Sequence, residues 1–137
     1  MKINIERIDN DFNLKATNEE GASLLMDAAQ DIGGHNKGMR PMQLLLAALG
    51  GCGAIDLILI LKKQKQTIES FEIEVDGDRE KTGDVSLFKN ITLHFKIKGQ
   101  VDKDKAERAV QLSVEKYCSV AKTLEPTAKI NYKVTVN

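Results

Sequence analysis

The sequence predicts an α+β fold in the order β-β-β-α-β-β-α-β, and three features of its hydropathy pattern support this prediction. Short segments before residue 30 and after residue 70 alternate apolar and polar side chains, as half-buried strands do. A long apolar run opens at Pro41, and a second helical pattern covers residues 102–124. The 137 residues contain no internal repeat and no linker, so we expect one domain, residues 1–137.

The strands follow from alternation and from the turn residues between them. KINIE and FNLKA flank the acidic turn Asp9-Asn10-Asp11, the segment SLLMDA follows, and the glycine-rich DIGGHNKGM reads as a loop. Later, FEIEVDG and NITLHFKIKG predict a hairpin with a long connection, and KINYKVTV predicts the last strand. The apolar face of the second hairpin strand consists of Ile91, Leu93, Phe95 and Ile97.

The first helix is predicted to begin at Pro41, where the missing N–H costs nothing, and to end near residue 66 in KKQKQ. The helix is apolar on nearly every side. If it packed against one face of a sheet in a small monomer, its outer apolar face would remain exposed to water. Gly50, Gly51 and Gly53 surround Cys52. Because mid-helix glycines are unfavourable, they indicate close approach of another backbone. We therefore expect an intertwined homodimer with two central helices in contact near Cys52.

Charge and targeting signals restrict the possible partners and the compartment. Twenty basic and twenty acidic residues give no net charge, which argues against a nucleic-acid or membrane-surface partner. Residues 42–61 approach the length of a bilayer span, but Asp56 and three glycines interrupt them, which favours a buried core helix over a membrane helix. The N-terminus lacks a signal-peptide pattern, so we expect a cytoplasmic protein with mostly reduced thiols.

The second helix is predicted to start at Asp102, a favourable N-cap residue, and to run without interruption to residue 124. Its apolar stripe repeats every three or four residues. The stripe consists of Ala106, Ala109 or Val110, Val114, Tyr117, Cys118 and Ala121. Cys118 is thereby predicted to face the interior.

Cys52 and Cys118 are the residues most able to carry chemistry, and the sequence leaves their role open. Reduced cysteines are buried packing residues, metal ligands or redox-active thiols. No pair among the two cysteines and two histidines has zinc-ligand spacing, so we expect neither a metal site nor a cofactor. Asp56 would disfavour a thiolate on Cys52, and Arg40 lies about 18 Å back along a straight helix.

Two runs carry a resemblance to a known family. GMRPMQLLLAALGGCGAIDLILILKKQKQ resembles the first helix of OsmC/Ohr proteins, and AVQLSVEKYCSVAKTL resembles their second helix. The order of elements also agrees. The segments GMRPM and LGGC resemble the branch of OsmC-like predicted redox proteins more than the organic-hydroperoxide-resistance branch.

The resemblance implies an OsmC-like fold, an intertwined homodimer and a thiol-dependent peroxidase active in oxidative stress. In active members, a thiolate attacks an organic or inorganic hydroperoxide, and the sulfenic acid condenses with a second thiol to a disulfide that a dithiol reduces. Carried to this chain, Cys52 is the peroxidatic residue and Cys118 the resolving residue.

The chain differs from the hydroperoxide-resistance proteins in the residues that hold an arginine over the thiolate. Those proteins have a glutamate directly after the helix-opening proline, where this chain has Met42, followed by Gln43. Their arginine comes from an early strand, and the early strands of this chain contain only Arg7. Arg40 is the candidate substitute, with plain surface charge as its alternative role. A non-catalytic dimer that binds a small apolar ligand at the subunit interface is the alternative function.

Overall fold

A computed structural model describes all 137 residues and has the predicted α+β architecture. The chain divides into two compact units, Met1–Leu45 and Leu46–Asn137. The first unit contains an antiparallel three-stranded sheet in the order β1-β2-β3. Its strands are β1 (Ile3–Arg7), β2 (Leu14–Asn18) and β3 (Ser23–Met26).

Side chains of the first unit close its turns as the sequence predicts. The Asp9 carboxylate accepts hydrogen bonds from the backbone N–H groups of Asp11 and Asn13, at 2.9 and 3.1 Å. These bonds fix the β1–β2 turn in the way short acidic side chains commonly do. The predicted glycine-rich loop contains one short 3₁₀ turn, Gln30–Ile32.

Asp27 organises that loop from a buried position, with 2% of its surface exposed. Its carboxylate accepts the backbone N–H groups of Ala28, His35 and Lys37, at 2.8, 3.0 and 3.1 Å. The bond from Lys37 is the main cause that lowers the pKa of Asp27, and the bonds from His35 and Ala28 add to it against the opposing effect of burial. The ionised carboxylate therefore holds both ends of the loop.

Replacing Asp27 by asparagine is expected to destabilise the protein at neutral pH and to matter progressively less in acid. Because folding lowers the pKa of Asp27, its stabilisation is present above the unfolded-state pKa of about 3.9 and is lost as the pH falls through the lower folded value. Urea unfolding at pH 7 and pH 3 measures this. The exposed Asp31→Asn is the control. An equal difference in the free energy of unfolding between wild type and Asp27→Asn at both pH values would contradict the assignment.

The first helix, α1 (Pro41–Lys63), begins at the predicted proline and ends three residues before the predicted boundary. The Gln43 side chain accepts the Arg40 backbone N–H at 2.9 Å, in the manner of a capping box. Lys62 and Lys63 lie in the last turn, where cations suit the helix dipole.

Two of the three helix glycines make room for the sheet of their own subunit. A Cβ atom on Gly50 would lie 3.0 Å from Val75 Cγ2, and one on Gly53 would lie 3.1 Å from Phe95 Cζ. A Cβ on Gly51 would meet nothing within 4 Å. Strand side chains of the same chain thus approach closely at two positions, and the contact with a partner helix near Cys52 stays a prediction.

The second unit contains β4 (Thr67–Thr82), β5 (Val85–Gln100) and β6 (Lys129–Val136), in the order β4-β5-β6. The β4–β5 pair is antiparallel and the β5–β6 pair is parallel. The predicted long connection between β4 and β5 is wrong, because only Gly83 and Asp84 separate the two strands. Charged residues interrupt the apolar–polar alternation at the ends of both strands that face the turn, so the hydropathy pattern does not show how far the strands extend. The backbone hydrogen bonds between the strands continue there because they do not depend on the side chains.

The predicted apolar face of β5 is confirmed. Ile91, Leu93, Phe95 and Ile97 are all buried and form the centre of the core. They alternate with residues that remain partly exposed, as expected for a strand with one face on the core.

The second helical region is interrupted, so the prediction of one continuous helix is wrong. Helix α2 (Lys103–Leu112) starts with the predicted cap, since the Asp102 side chain accepts the Lys105 N–H at 3.0 Å. A π-helical turn, Ser113–Tyr117, follows, and a short helix, α3 (Ser119–Leu124), begins after Cys118. The π-helical turn contains one more residue than an α-helical turn, which changes the direction in which its side chains point. Tyr117 is therefore 53% exposed, whereas the rest of the predicted stripe is buried.

Candidate functional site

Cys118 lies at the break between the π-helical turn and α3, in an extended backbone conformation. Its N–H donates to the Ser113 carbonyl at 2.8 Å, which closes the wide turn. Its Sγ accepts the Ala121 N–H at 3.3 Å and so caps α3. The thiol is buried, with 1% of the residue exposed. Cys118 is therefore fixed by the local backbone on both sides.

Cys52 lies in the middle of α1 and is half-buried. Asp56 projects from the same face of the helix one turn later. The Sγ atoms of Cys52 and Cys118 and a carboxylate oxygen of Asp56 all lie within 4.8 Å of one another. The structure thus brings together two cysteines that are far apart in sequence.

The electrostatics of the pair distinguish the two thiols. Burial raises the pKa of Cys118 to about 11, and the hydrogen bond with Cys52 contributes in the same direction. Cys118 is accordingly a protonated thiol at neutral pH and a poor nucleophile. The half-buried Cys52 is the more accessible sulfur of the pair.

Ser113 is part of this site, although the sequence analysis did not single it out. Its hydroxyl donates to Asp56 Oδ2 at 2.7 Å from a fully buried position. The half-buried Asp56 carboxylate thus has a hydrogen-bond partner on the opposite side of the site. A signal existed in the sequence, since Ser113 continues the spacing of Ala106 and Ala109 or Val110 along the buried face of α2.

Arg40 has hydrogen-bond partners in the first unit. Its Nη1 donates to the Gly38 carbonyl at 3.2 Å and its Nη2 to Asn36 Oδ1 at 2.6 Å. The two arginines of the second unit are also engaged, Arg79 with the Ser86 carbonyl and Arg108 with Gln111 Oε1. The role of Arg40 toward Cys52 stays a prediction.

The outer face of α1 is apolar and exposed beside Cys52. Ile55 is 61% exposed, and Leu45, Ile58 and Leu59 are also exposed. By length and composition α1 could cross a bilayer, a property that core helices of soluble proteins share. Such a contiguous apolar stripe is typical of an interaction surface.

Comparison with known proteins identifies the family. A family model described as OsmC-like protein matches residues 34–133. The chain belongs to the OsmC-like family.

Individual relatives agree with this assignment. Protein YhfA of Escherichia coli strain K12 is 40% identical over 117 residues, which cover 85% of this chain and 84% of YhfA. The crystal structure of a hypothetical protein from Aquifex aeolicus is 28% identical, with a TM-score of 0.80 over 99% of this chain and 96% of that one. An organic hydroperoxide resistance protein from Legionella pneumophila shares the fold at 20% identity, with a TM-score of 0.73 over 99% and 98% of the two chains.

The family assignment bears on the exposed stripe as well. The helix that carries the stripe, α1, lies within residues 34–133, the part of the chain that the family model matches. The resemblance read from the two cysteine-containing runs is confirmed, and with it the fold class. The structure also places the two thiols near each other, within 4.8 Å.

Proposed function

We propose that this protein is a cytoplasmic thiol-dependent peroxidase that reduces organic or inorganic hydroperoxides through Cys52 and Cys118. The observation that carries the proposal is the contact between the two thiols, which lie within 4.8 Å of each other without any backbone movement. Hydroperoxide resistance is named for structural relatives of the same fold. The whole chain, residues 1–137, acts as one OsmC-like domain in this proposal.

The reaction proceeds in two steps on the protein. The Cys52 thiolate attacks the terminal oxygen of the hydroperoxide, an S–O bond forms, the O–O bond breaks, and the leaving alkoxide takes a proton to become an alcohol. The Cys118 sulfur then attacks the Cys52 sulfenic acid, so that a disulfide forms and water leaves. A cellular dithiol reduces the disulfide by two thiol exchanges and is itself oxidised.

The raised pKa of Cys118 supports this division of roles. A thiol with a pKa of about 11 does not compete for the peroxide at neutral pH, yet it serves as resolving residue once Cys52 is a sulfenic acid.

A positive charge beside Cys52 would favour the thiolate that attacks the hydroperoxide. Arg40 is the proposed source within the chain, through exchange of its present bonds to Gly38 and Asn36. The Ser113 hydroxyl holds the Asp56 carboxylate beside the two thiols.

The proposed active form is a homodimer in which the exposed stripe of α1 is covered by a second copy. Burying apolar surface contributes about 25 cal/mol per Å², which makes the stripe of Leu45, Ile55, Ile58 and Leu59 a favourable interface. Cys52 borders this stripe, so the partner would also limit access of water to the thiol.

Ile55→Asp is expected to convert the dimer into a monomer, because a carboxylate would be buried unpaired at the centre of the stripe. Sedimentation velocity measures the change as a twofold decrease in mass. Val85→Asp is the matched control, since Val85 is also an exposed apolar residue, at the start of β5. Two variants of equal mass would exclude this interface.

A second candidate function is binding of a small apolar ligand by a non-catalytic dimer. The sequence places that ligand at the subunit interface, whereas the observation that favours binding is a cavity of about 390 Å³ within the first unit of one chain, in the size range of small-molecule sites. Apolar side chains dominate its lining, including Ile3, Ile5, Leu24, Met26 and Leu44.

Consumption of cumene hydroperoxide and of hydrogen peroxide with a dithiol reductant tests the proposed function. Wild-type protein is expected to consume peroxide at least about 1,000-fold faster than Cys52→Ser, because a serine hydroxyl is not ionised at neutral pH. Ser119→Ala, an exposed change beside Cys118, is the control. If wild type turns over no faster than Cys52→Ser, the apolar-ligand function takes precedence.

A further inference from the structure

Three metal-ligating groups converge at the break before α3. Cys52 and Asp56 project from one face of α1, and Cys118 enters from the other side of the site, with all three ligand atoms within 4.8 Å of one another. The spacing in sequence hides this cluster, because Cys118 is far from the other two residues and no two cysteines or histidines are close together. Neither histidine belongs to the cluster.

We propose that the reduced protein binds one thiophilic divalent cation, of the class of Zn²⁺ or Cd²⁺, through the sulfurs of Cys52 and Cys118 and the carboxylate of Asp56. Two thiolates and one carboxylate form a donor set that suits Zn²⁺ and Cd²⁺ and disfavours Mg²⁺ and Ca²⁺. Three protein ligands leave the fourth tetrahedral position to water.

The distances are compatible with this ligation. Zn–S bonds of about 2.3 Å and Zn–O bonds of about 2.0–2.2 Å place the ligand atoms of a tetrahedral centre about 3.5–3.8 Å apart. The present separations of up to 4.8 Å therefore close by about 1 Å. Rotation of the Cys52 and Asp56 side chains, both of them half-buried, provides a shift of this size.

Ser113 prepares the site by holding the third ligand. Carboxylates that bind metals are themselves commonly hydrogen-bonded, which orients them toward the ion. The Ser113 hydroxyl makes such a bond to Asp56 Oδ2 at 2.7 Å. In the proposed site, Asp56 Oδ1 binds the cation while Oδ2 keeps its hydrogen bond to Ser113.

The charge balance favours a cation once both thiols are deprotonated. Binding releases two thiol protons and forms two metal–sulfur bonds, with no change in the oxidation state of any atom. The three anionic ligands surround a doubly charged ion in a place where Ser113 and Cys118 exclude water. Low local dielectric strengthens this attraction.

Cation binding and peroxide reduction use the same sulfur atom. A cation on Cys52 occupies the electron pair that would attack the hydroperoxide, so we expect reversible inhibition, a consequence that rests on the proposed function. Binding itself does not depend on peroxidase activity, and titration without peroxide separates the two claims.

Calorimetric titration of untagged, phosphine-reduced protein with Zn²⁺ tests the proposal, and ultraviolet thiolate-to-metal charge transfer with Cd²⁺ reports sulfur ligation. Wild type is expected to bind one equivalent. Cys52→Ser, Cys118→Ser and Asp56→Asn are each expected to weaken binding at least about tenfold, and Ser113→Ala about tenfold. Asp76→Asn, an exposed acidic position on β4, is the matched control and is expected to leave binding unchanged.

Oxidation provides a test that needs no substitution. Diamide removes the two thiol hydrogens and joins Cys52 to Cys118, so the oxidised wild type is expected to lose Zn²⁺ binding and to regain it after reduction. Substoichiometric binding by reduced wild type would overturn the proposal. So would an Asp56→Asn variant, shown to be folded by circular dichroism, that binds Zn²⁺ as tightly as wild type.

Discussion

Cys118→Ser is expected to consume one equivalent of hydroperoxide per chain and then to slow at least about tenfold in steady state. Cys52 still attacks the peroxide in this variant, but its sulfenic acid has no thiol partner within 4.8 Å. Serine preserves the cap of α3, because its hydroxyl oxygen can accept the Ala121 N–H as the Cys118 sulfur does. The fold is therefore expected to survive.

Rapid-mixing measurement of peroxide loss reports the burst, and dimedone labelling of Cys52 reports the trapped sulfenic acid. Wild type is expected to show steady turnover without dimedone labelling, since the Cys118 thiol resolves the intermediate first. A Cys118→Ser variant that matches wild type in steady state would show that external thiols resolve Cys52 and that Cys118 only packs the core.

Phe95→Ala is expected to lower the free energy of unfolding by about 3–5 kcal/mol, the cost of deleting a fully buried aromatic side chain. Phe95 lies at the centre of β5 with 0% of its surface exposed. Its ring also fills the space beside Gly53, where a Cβ atom would lie only 3.1 Å from Cζ. The substitution therefore removes support for α1 directly beside Cys52.

Urea unfolding measures this cost, with Val85→Ala as the control on the same strand. Because Val85 is exposed, its truncation is expected to change stability by no more than about 0.5 kcal/mol. The Phe95→Ala variant is also expected to lose peroxidase turnover along with stability, because the short distance between Cys52 and Cys118 depends on the position of α1. A cost below about 1 kcal/mol would contradict the close packing of Gly53 against Phe95.

Features governed by local chemistry were predictable from the sequence. Proline at position 41 opens a helix because it lacks an N–H, and Asp102 caps one because its carboxylate accepts a free N–H. The alternation around Leu93 and Phe95 identifies a strand with one buried face. The resemblance carried by the two cysteine-containing runs supplied the family.

Features governed by hydrogen bonding across the fold were not predictable. The π-helical turn before Cys118 leaves the apolar periodicity nearly intact, so the break in the second helix has no hydropathy signal. The pairing of Asp56 with Ser113 joins residues far apart in sequence, and one sequence alone contains no record of it. The approach of Cys118 to Cys52 and Asp56 likewise joins residues far apart in sequence.

Mapping of disulfides after addition of one equivalent of cumene hydroperoxide tests the central claim most directly. Reduced wild-type protein is treated, alkylated and digested, and its peptides are identified by mass spectrometry. The account predicts a Cys52–Cys118 disulfide within a single chain, at close to one bond per peroxide consumed. Peroxide loss with both thiols still free for alkylation, or a disulfide between two copies of Cys52, would contradict it.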